Sequence, residues 1–182
     1  MTRQQAQNTA QPIWQPSRQK TNATNMQRFT EQLQDKYKLV FKDYQQLHQW
    51  SVEQPQLFWD QIWHFCDIQS STPFEQVLQN HSDFPGAKWF SGARLNYAEN
   101  ALRNRSDKTA LISRLENGTR QTMSYAALYR QVAQCAAALR RSGVVCGDRV
   151  AGFMPNIPQT VVAMLATASI GAIWSSCSPD FG

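Results

Sequence analysis

The spacing of apolar residues changes along the chain, and each change predicts a different kind of element. From Asn25 onward, apolar side chains recur every three or four residues, at Met26, Phe29, Leu33 and Tyr37. This spacing predicts an amphipathic helix with one buried face. The segment before it, residues 1–24, has no such periodicity.

Two further helices are predicted beyond the first. One follows Asp43, and its apolar positions are Tyr44, Leu47 and Trp50. Pro55 suits the first turn of the other helix, where a missing N–H costs nothing. The apolar face of that helix would consist of Phe58, Trp59, Ile62, Trp63 and Cys66. At helical spacing, such an aromatic stripe forms a protein core far more often than a cofactor site. His64 lies between these positions and is predicted to be a surface residue.

Residues 83–100 mix Gly and Pro with aromatic residues and predict an ordered loop that leads into a short helix. Lys88 and Arg94 in this loop are candidate anion ligands. An arginine that fixes a loop to a carboxylate is nevertheless the more common arrangement.

The periodicity changes from helical to alternating after Asp107. Residues 110–115 and 120–123 flank Asn117-Gly118, a pair that strongly indicates a tight hairpin turn. Ser124 then caps a helix that ends at Gly143. Its apolar positions are Leu128, Val132, Ala136 and Leu139.

The remaining chain alternates strand and helix. An apolar strand over residues 148–153 is followed by a helix over residues 159–170 and a strand over residues 172–176. This order is typical of a parallel sheet with crossover helices. The sequence therefore predicts an α/β fold with a disordered tail over residues 1–24, in which Ile13 and Trp14 are the residues able to anchor it. A helical extension over residues 25–107 and an α/β region over residues 108–182 follow.

The net charge of +5 does not indicate a nucleic-acid site. Four basic residues and no acidic ones fall within residues 1–28, while the other 14 basic residues face 13 acidic ones. A phosphate-binding surface would instead concentrate Lys and Arg on one face of a folded element. A solvated basic tail is the better interpretation, and residues 1–12 in particular are predicted to be disordered.

Cysteine spacing and hydropathy limit the other classes of function. Cys66, Cys135, Cys146 and Cys177 are widely separated, without the spacing of a zinc site, so no metal site is predicted. Reduced cysteines and the lack of a secretory signal predict a cytoplasmic protein. The most apolar stretch, residues 161–174, is too short to span a bilayer.

Residues 123–174 carry a resemblance to a known superfamily. The features are Ser124-Tyr125 with Leu128 three residues later, then Gly143, Gly147-Asp148-Arg149-Val150, Pro155-Asn156, Pro158 and Gly171-Ala172. In this order they resemble the start of the adenylate-forming domain found in acyl-CoA synthetases. One departure is Ala127, where the family often has a Glu that completes a capping box.

Two further segments narrow the resemblance. The helices before residue 107 and the WFSGARLNYAEN loop resemble the short-chain branch of acetyl-, propionyl- and acetoacetyl-CoA synthetases. The closing segment GAIWSSCSPDFG resembles the acetoacetyl-specific form, whereas acetyl-CoA synthetases have a segment similar to GAVHSVVFGGFS. The resemblance covers residues 13–182.

The resemblance implies an acid–thiol ligase of lipid and ketone body metabolism that uses acetoacetate, ATP, CoA and Mg²⁺. The family's Gly-rich phosphate loop and catalytic lysine are not found in residues 1–182, so no catalytic residue is assigned. The chain is expected to be an inactive N-terminal part of an incomplete domain, with no bound cofactor. Its helix over residues 161–170 is expected to lack neighbours that cover it.

Ser178, Pro179, Asp180 and Phe181 are the candidate ligand contacts, because open α/β sheets bind ligands beyond the carboxyl ends of their strands. A purely structural turn explains Pro179-Asp180 equally well. Alternative functions are an acetyl- or propionyl-CoA synthetase, a helical protein-interaction module that uses the Phe58 to Trp63 face, and a basic-tailed nucleic-acid binder. The oligomeric state is left open.

Overall fold

The computed structural model describes residues 13–180, and the chain divides into two compact units at Cys66/Asp67. The predicted boundaries at residues 24/25 and 107/108 stay predictions. The first unit contains α1 (Arg18–Asn22), α2 (Asn25–Tyr37), α3 (Tyr44–Glu53) and α4 (Pro55–Phe65). The second contains β1 (Gln76–Gln79), β2 (Lys88–Ser91), α5 (Tyr97–Ala101), β3 (Thr109–Arg114), β4 (Arg120–Ser124), α6 (Tyr125–Arg141), β5 (Arg149–Phe153), α7 (Pro158–Ile170) and β6 (Ile173–Cys177). No helix in the described part of the chain is long and apolar enough to cross a lipid bilayer.

Helix α1 lies within the segment predicted to be a disordered tail. The Ser17 hydroxyl caps it by accepting a hydrogen bond from the Lys20 amide at 3.3 Å. The prediction of disorder over residues 1–24 is therefore wrong for α1, and residues 1–12 lie outside the described residues. Ile13 and Trp14 are exposed and do not anchor this segment.

The core of the first unit is aromatic. Phe29, Leu33 and Leu47 are buried at its centre. The rings of Phe58 and Phe65 meet Phe29 edge-on, with centroids 5.7 and 5.1 Å away. The predicted apolar faces of α2 and α3 are confirmed except at Met26 and Tyr44, which are exposed. The predicted face of α4 is correct at Phe58 and Ile62 but wrong at Trp59 and Cys66, which are exposed. Phe65 packs instead, because positions 58, 62 and 65 share one side of the helix.

The second unit begins with a strand pair that the periodicity did not predict. Strands β1 and β2 are antiparallel, with Leu78 opposite Trp89. Each strand has four residues, too few for an alternating pattern to be visible in the sequence. The helical extension predicted over residues 25–107 therefore contains strands as well, and the short helix predicted at its end is α5.

The β3–β4 hairpin and helix α6 confirm the prediction for this region. Gly118 has φ +82°, a conformation that glycine adopts easily and that the turn requires. The Ser124 hydroxyl caps α6 by accepting from the Ala127 amide at 3.2 Å. The cap thus forms without the Glu that the family often has at position 127.

Strands β5 and β6 are parallel and in register from Arg149↔Ile173 to Phe153↔Cys177. Helix α7 is the crossover between them, as predicted. Helix α6 is not a second crossover, because the β3–β4 hairpin does not pair with β5. The expectation that α7 is uncovered is also wrong. Val162, Leu165 and Ala166 of α7 are buried in one core cluster with three residues of α6, namely Leu128, Val132 and Ala136.

Asn96 joins α5 to the end of α7. Its Oδ1 atom accepts from the amides of Ala98 and Glu99 at 2.9 and 3.3 Å. Its Nδ2 atom donates to the carbonyl of Ala168 at 2.8 Å. One amide side chain therefore caps α5 and also bonds the last turn of α7, which holds these two helices together.

The parallel strand pair has room for no side chain at Gly152. A Cβ atom there would clash with Cη2 of Trp174 and would lie 2.8 Å from Cζ2 of the same ring, well inside a normal contact distance. Gly152 is buried and its φ is not positive, so the requirement for glycine is one of space and not of backbone conformation. The indole of Trp174 fills the volume that a larger residue would need.

We expect Gly152→Ala to destabilise the chain by about 1–3 kcal/mol, because overpacking a filled site forces strain on its neighbours. Chemical denaturation of the purified chain measures this change. Ala151→Val is the matched control, since Ala151 is exposed on the same strand. Replacing Trp174 with Leu in the Gly152→Ala background should recover part of the loss. Equal stability of Gly152→Ala and the unmodified chain would contradict the close contact.

Candidate ligand groove

An open groove of about 620 Å³ lies at the carboxyl ends of the two parallel strands. Its walls come from three separate segments: the turn after β3, the loop after β5 and the loop after β6. The groove is lined by residues 114–117, 155–157 and 178–180. Its position agrees with the general rule that open α/β sheets bind ligands beyond the carboxyl ends of their strands.

The loop after β6 contains the residues that the sequence singled out. The Ser178 hydroxyl donates to Oδ2 of Asp180 at 2.7 Å, and the Asp180 amide donates back to that hydroxyl at 3.3 Å. These bonds make a tight local turn, and Ser178, Pro179 and Asp180 all line the groove. The two interpretations of this segment, a turn or a groove wall, are thus compatible. Phe181 lies outside the described residues.

The loop after β5 is tied to the start of α7. The Thr160 hydroxyl donates to the carbonyl of Pro155 at 2.7 Å, and the Ile157 amide donates to the same oxygen at 2.9 Å. Asn156 and Ile157 line the groove between these anchors. Neither residue was predicted to be a site residue from the sequence, although two prolines that closely follow a strand were a usable signal for a fixed loop.

The third wall is the hairpin turn. The Leu115 amide donates to the carbonyl of Thr119 at 2.9 Å, and the Gly118 amide donates to the carbonyl of Leu115 at 2.9 Å. Arg114 and Glu116 beside this turn bring opposite charges to the groove. Arg114 also lines an adjoining groove of about 350 Å³ against the first residues of α7. Neither Arg114 nor Glu116 was predicted to be a site residue. Nothing in the sequence of the hairpin indicates that its turn lies beside the loops after β5 and β6.

The groove offers hydrogen-bonding and charged groups that are suited to holding a polar ligand. They are one guanidinium, two carboxylates, two side-chain amides and one hydroxyl. Within residues 13–180, no group of three or more His, Cys, Asp or Glu side chains is placed to hold a metal ion. The arrangement can therefore bind and orient a ligand, and we assign no catalytic residue to it.

The other residues considered from the sequence lie elsewhere. Arg94 uses its backbone to pair with Thr72, and neither it nor Lys88 lines the groove. The ring Nδ1 of His64 lies 2.8 Å from the carbonyl of Asp60, one turn earlier on α4, as expected for a locally bonded surface histidine. Cys135, Cys146 and Cys177 are free thiols.

Comparison with known proteins gives matches along most of the chain. Residues 98–182 match the family of AMP-binding enzymes, and residues 44–101 match the acetyl-coenzyme A synthetase N-terminus. An acetoacetyl-coenzyme A synthetase of Rhizobium meliloti is 40% identical over 94% of the chain, and one of Xenopus tropicalis is 44% identical over 95%.

A solved structure gives the same result in three dimensions. The acetoacetyl-CoA synthetase from Streptomyces lividans matches 95% of the chain with a TM-score of 0.87 and 45% identity. The chain covers 26% of each of the two curated relatives and 27% of that structure. It therefore spans about a quarter of the length of the proteins it matches.

We expect Ser178→Ala to loosen the loop after β6 while changing the free energy of unfolding by less than about 1 kcal/mol, because the lost bonds are exposed. Amide hydrogen exchange at Asp180 should become faster. The control is Ser175→Ala, on an exposed position of β6. Unchanged exchange at Asp180 would show that the Ser178 hydroxyl does not hold the turn.

Proposed function

The chain belongs to the AMP-binding enzyme family, and from that premise we propose that it forms the N-terminal part of an ATP-dependent acetoacetate–CoA ligase. The observation that carries the proposal is its identity of 40–44% with proteins named acetoacetyl-CoA synthetase, sustained over almost its whole length. A structure bearing the same name superposes on 95% of the chain. Membership in the AMP-binding enzyme family agrees with the resemblance of residues 123–174 to the adenylate-forming domain of acyl-CoA synthetases.

The proposed reaction has two steps. A carboxylate oxygen of acetoacetate attacks the α-phosphorus of ATP, which forms acetoacetyl-AMP and releases pyrophosphate. The CoA thiol then attacks the acyl carbon, loses its proton and displaces AMP. Mg²⁺ offsets the charge of the triphosphate in such reactions. The described residues hold no suitable set of metal ligands, so no step at the metal is assigned to them.

This chain contributes a wall for a ligand in the proposed enzyme. Ser178, Pro179 and Asp180 line the groove. They follow a parallel strand at its carboxyl end, where such folds place their ligands. We propose that these residues, with Phe181, border the path of CoA or of the acyl group. ATP, CoA and acetoacetate are then the partners, with no nucleic acid and no membrane.

The proposed reaction belongs to lipid and ketone body metabolism in the cytoplasm. The cellular location rests on cysteine chemistry. Cys135, Cys146 and Cys177 are free thiols, and free thiols are usual in proteins of reducing compartments.

Two alternative acyl substrates have specific support. The match of residues 44–101 to an acetyl-coenzyme A synthetase N-terminus favours acetate. A malonamoyl-CoA synthetase of Penicillium aethiopicum, 38% identical over 93% of the chain, favours malonamate. Propionate is the other short-chain alternative. A helical interaction module is disfavoured, because Phe58 and Ile62 of its supposed binding face pack against the core.

We expect the full-length enzyme that contains this chain to have a higher kcat/KM for acetoacetate than for acetate, propionate or malonamate. The measurement is acid-dependent exchange of labelled pyrophosphate into ATP, followed by thioester formation with CoA. Because kcat/KM compares transition-state binding, its ratio between acids reports specificity directly. A higher value for any of the other three acids would overturn the assignment of acetoacetate.

The 182-residue chain alone should give no acetoacetate-dependent exchange. Loss of one donor around a reacting oxyanion already costs about a hundredfold in rate, and we assign no catalytic donor to this chain. Full-length enzyme is the positive control. Exchange by the purified chain that survives repeated chromatography would show that the chemistry is located here.

A further inference from the structure

Two arginines lie directly opposite each other on the β3–β4 hairpin. The register pairs Arg114 with Arg120, and both are exposed. Opposed residues of an antiparallel pair have Cβ atoms about 4.5–5.5 Å apart on the same face, and like charges so placed destabilise the pair. Among the described residues, neither arginine forms an ion pair with a carboxylate.

The hairpin is unable to relieve this repulsion by changing its register. At one end, the hydrogen bonds of the Leu115 and Gly118 amides fix the turn. At the other end, Leu111 and Met123 are opposed and both pack on the core that α6 and α7 share. A slip of one residue would turn these apolar side chains toward solvent. The opposed cations are therefore a built-in feature of the fold.

Arg114 also faces space that is large enough for a ligand. It lines both the groove of about 620 Å³ and the adjoining one of about 350 Å³. Two carboxylates also line the larger groove, Glu116 in the hairpin turn and Asp180 in the loop after β6. The Asp180 carboxylate already accepts from the Ser178 hydroxyl at 2.7 Å. Arg114 is the one cationic residue among those that line these two grooves. It is also one member of the like-charged pair with Arg120.

We propose that Arg114 and Arg120 bind a phosphate group at the nucleotide end of CoA. This inference rests on the proposed function, which supplies CoA as a substrate. Guanidinium groups bind phosphate through two parallel hydrogen bonds, and an anion between the two arginines replaces repulsion with attraction. The neutral amide arm of CoA suits the other walls, where Asn156 and Asp180 offer oxygen acceptors. Neither arginine is a catalytic residue in this proposal.

The test is an NMR titration of the ¹⁵N-labelled chain with CoA, dephospho-CoA and ATP. We expect CoA to shift the signals of Arg114 and Arg120 and to bind more weakly as salt rises. Arg114→Gln and Arg120→Gln should each weaken CoA binding by about tenfold or more, since each loses a charge-assisted bond. Arg141→Gln, an exposed arginine in the last turn of α6, is the matched control and should leave affinity unchanged.

Comparison of the ligands identifies the phosphate. Loss of affinity with dephospho-CoA assigns the 3′-phosphate, and equal affinity assigns the diphosphate. Tighter binding of ATP than of CoA would overturn the choice of CoA. Equal CoA affinity of both glutamine variants and the unmodified chain would overturn the site itself.

Arg120→Glu provides an independent check. It places a carboxylate opposite Arg114, so it should raise Tm by about 2 °C while abolishing CoA binding. A lower Tm would contradict the repulsion on which the inference depends. CoA affinity and Tm are measured without enzyme turnover. They therefore test the arginine site separately from the proposed acetoacetate–CoA ligase activity. An enzyme that is inactive with acetoacetate but binds CoA through these arginines would overturn the proposed substrate alone.

Discussion

The indole of Trp174 on β6 occupies the space above Gly152 on the neighbouring strand β5, so the packing of this parallel pair leaves room for no side chain at position 152. A side chain of any size at position 152 would meet the ring, while a smaller residue at position 174 would leave a void beside a buried glycine. The two strands lead into two of the three segments that line the groove. Packing within the sheet thus controls the spacing of groups at its edge.

The groove itself is a product of long-range structure. Its three walls are separated by tens of residues in the sequence, and each is rigid through its own short-range bonds. Ser178 closes one turn, Thr160 ties the second to α7, and the Leu115 and Gly118 amides close the third. Helix α7 keeps these turns together, because one end begins at the groove and the other is held by Asn96. Rigid turns on a packed scaffold are the usual basis of a ligand site.

The parts of the fold that were predictable from sequence are those governed by local rules. Pro55, Ser124, Asn117-Gly118 and Gly143 each fixed the start, end or turn of an element through backbone chemistry. The β1–β2 pair was not predictable in this way, because four-residue strands carry too little periodicity. Ser178, Pro179 and Asp180 could be selected from the sequence because a rule about strand ends applies to any parallel pair, and their role as ligand contacts stays a prediction. Arg114, Asn156 and Thr160 were missed, since only the tertiary arrangement brings the hairpin and the loop after β5 together.

The proposal that this chain is the N-terminal part of an acetoacetate–CoA ligase is tested most directly by exchanging it into a related enzyme. The matching quarter of the Streptomyces lividans acetoacetyl-CoA synthetase, 45% identical to this chain, is exchanged for residues 1–182, and acetoacetate-dependent pyrophosphate exchange is measured. If the chain is the N-terminal part of such a ligase, with a groove of the same form, the chimera should retain activity within about tenfold of the parent enzyme. A chimera that is soluble and folded but shows no exchange would contradict the account.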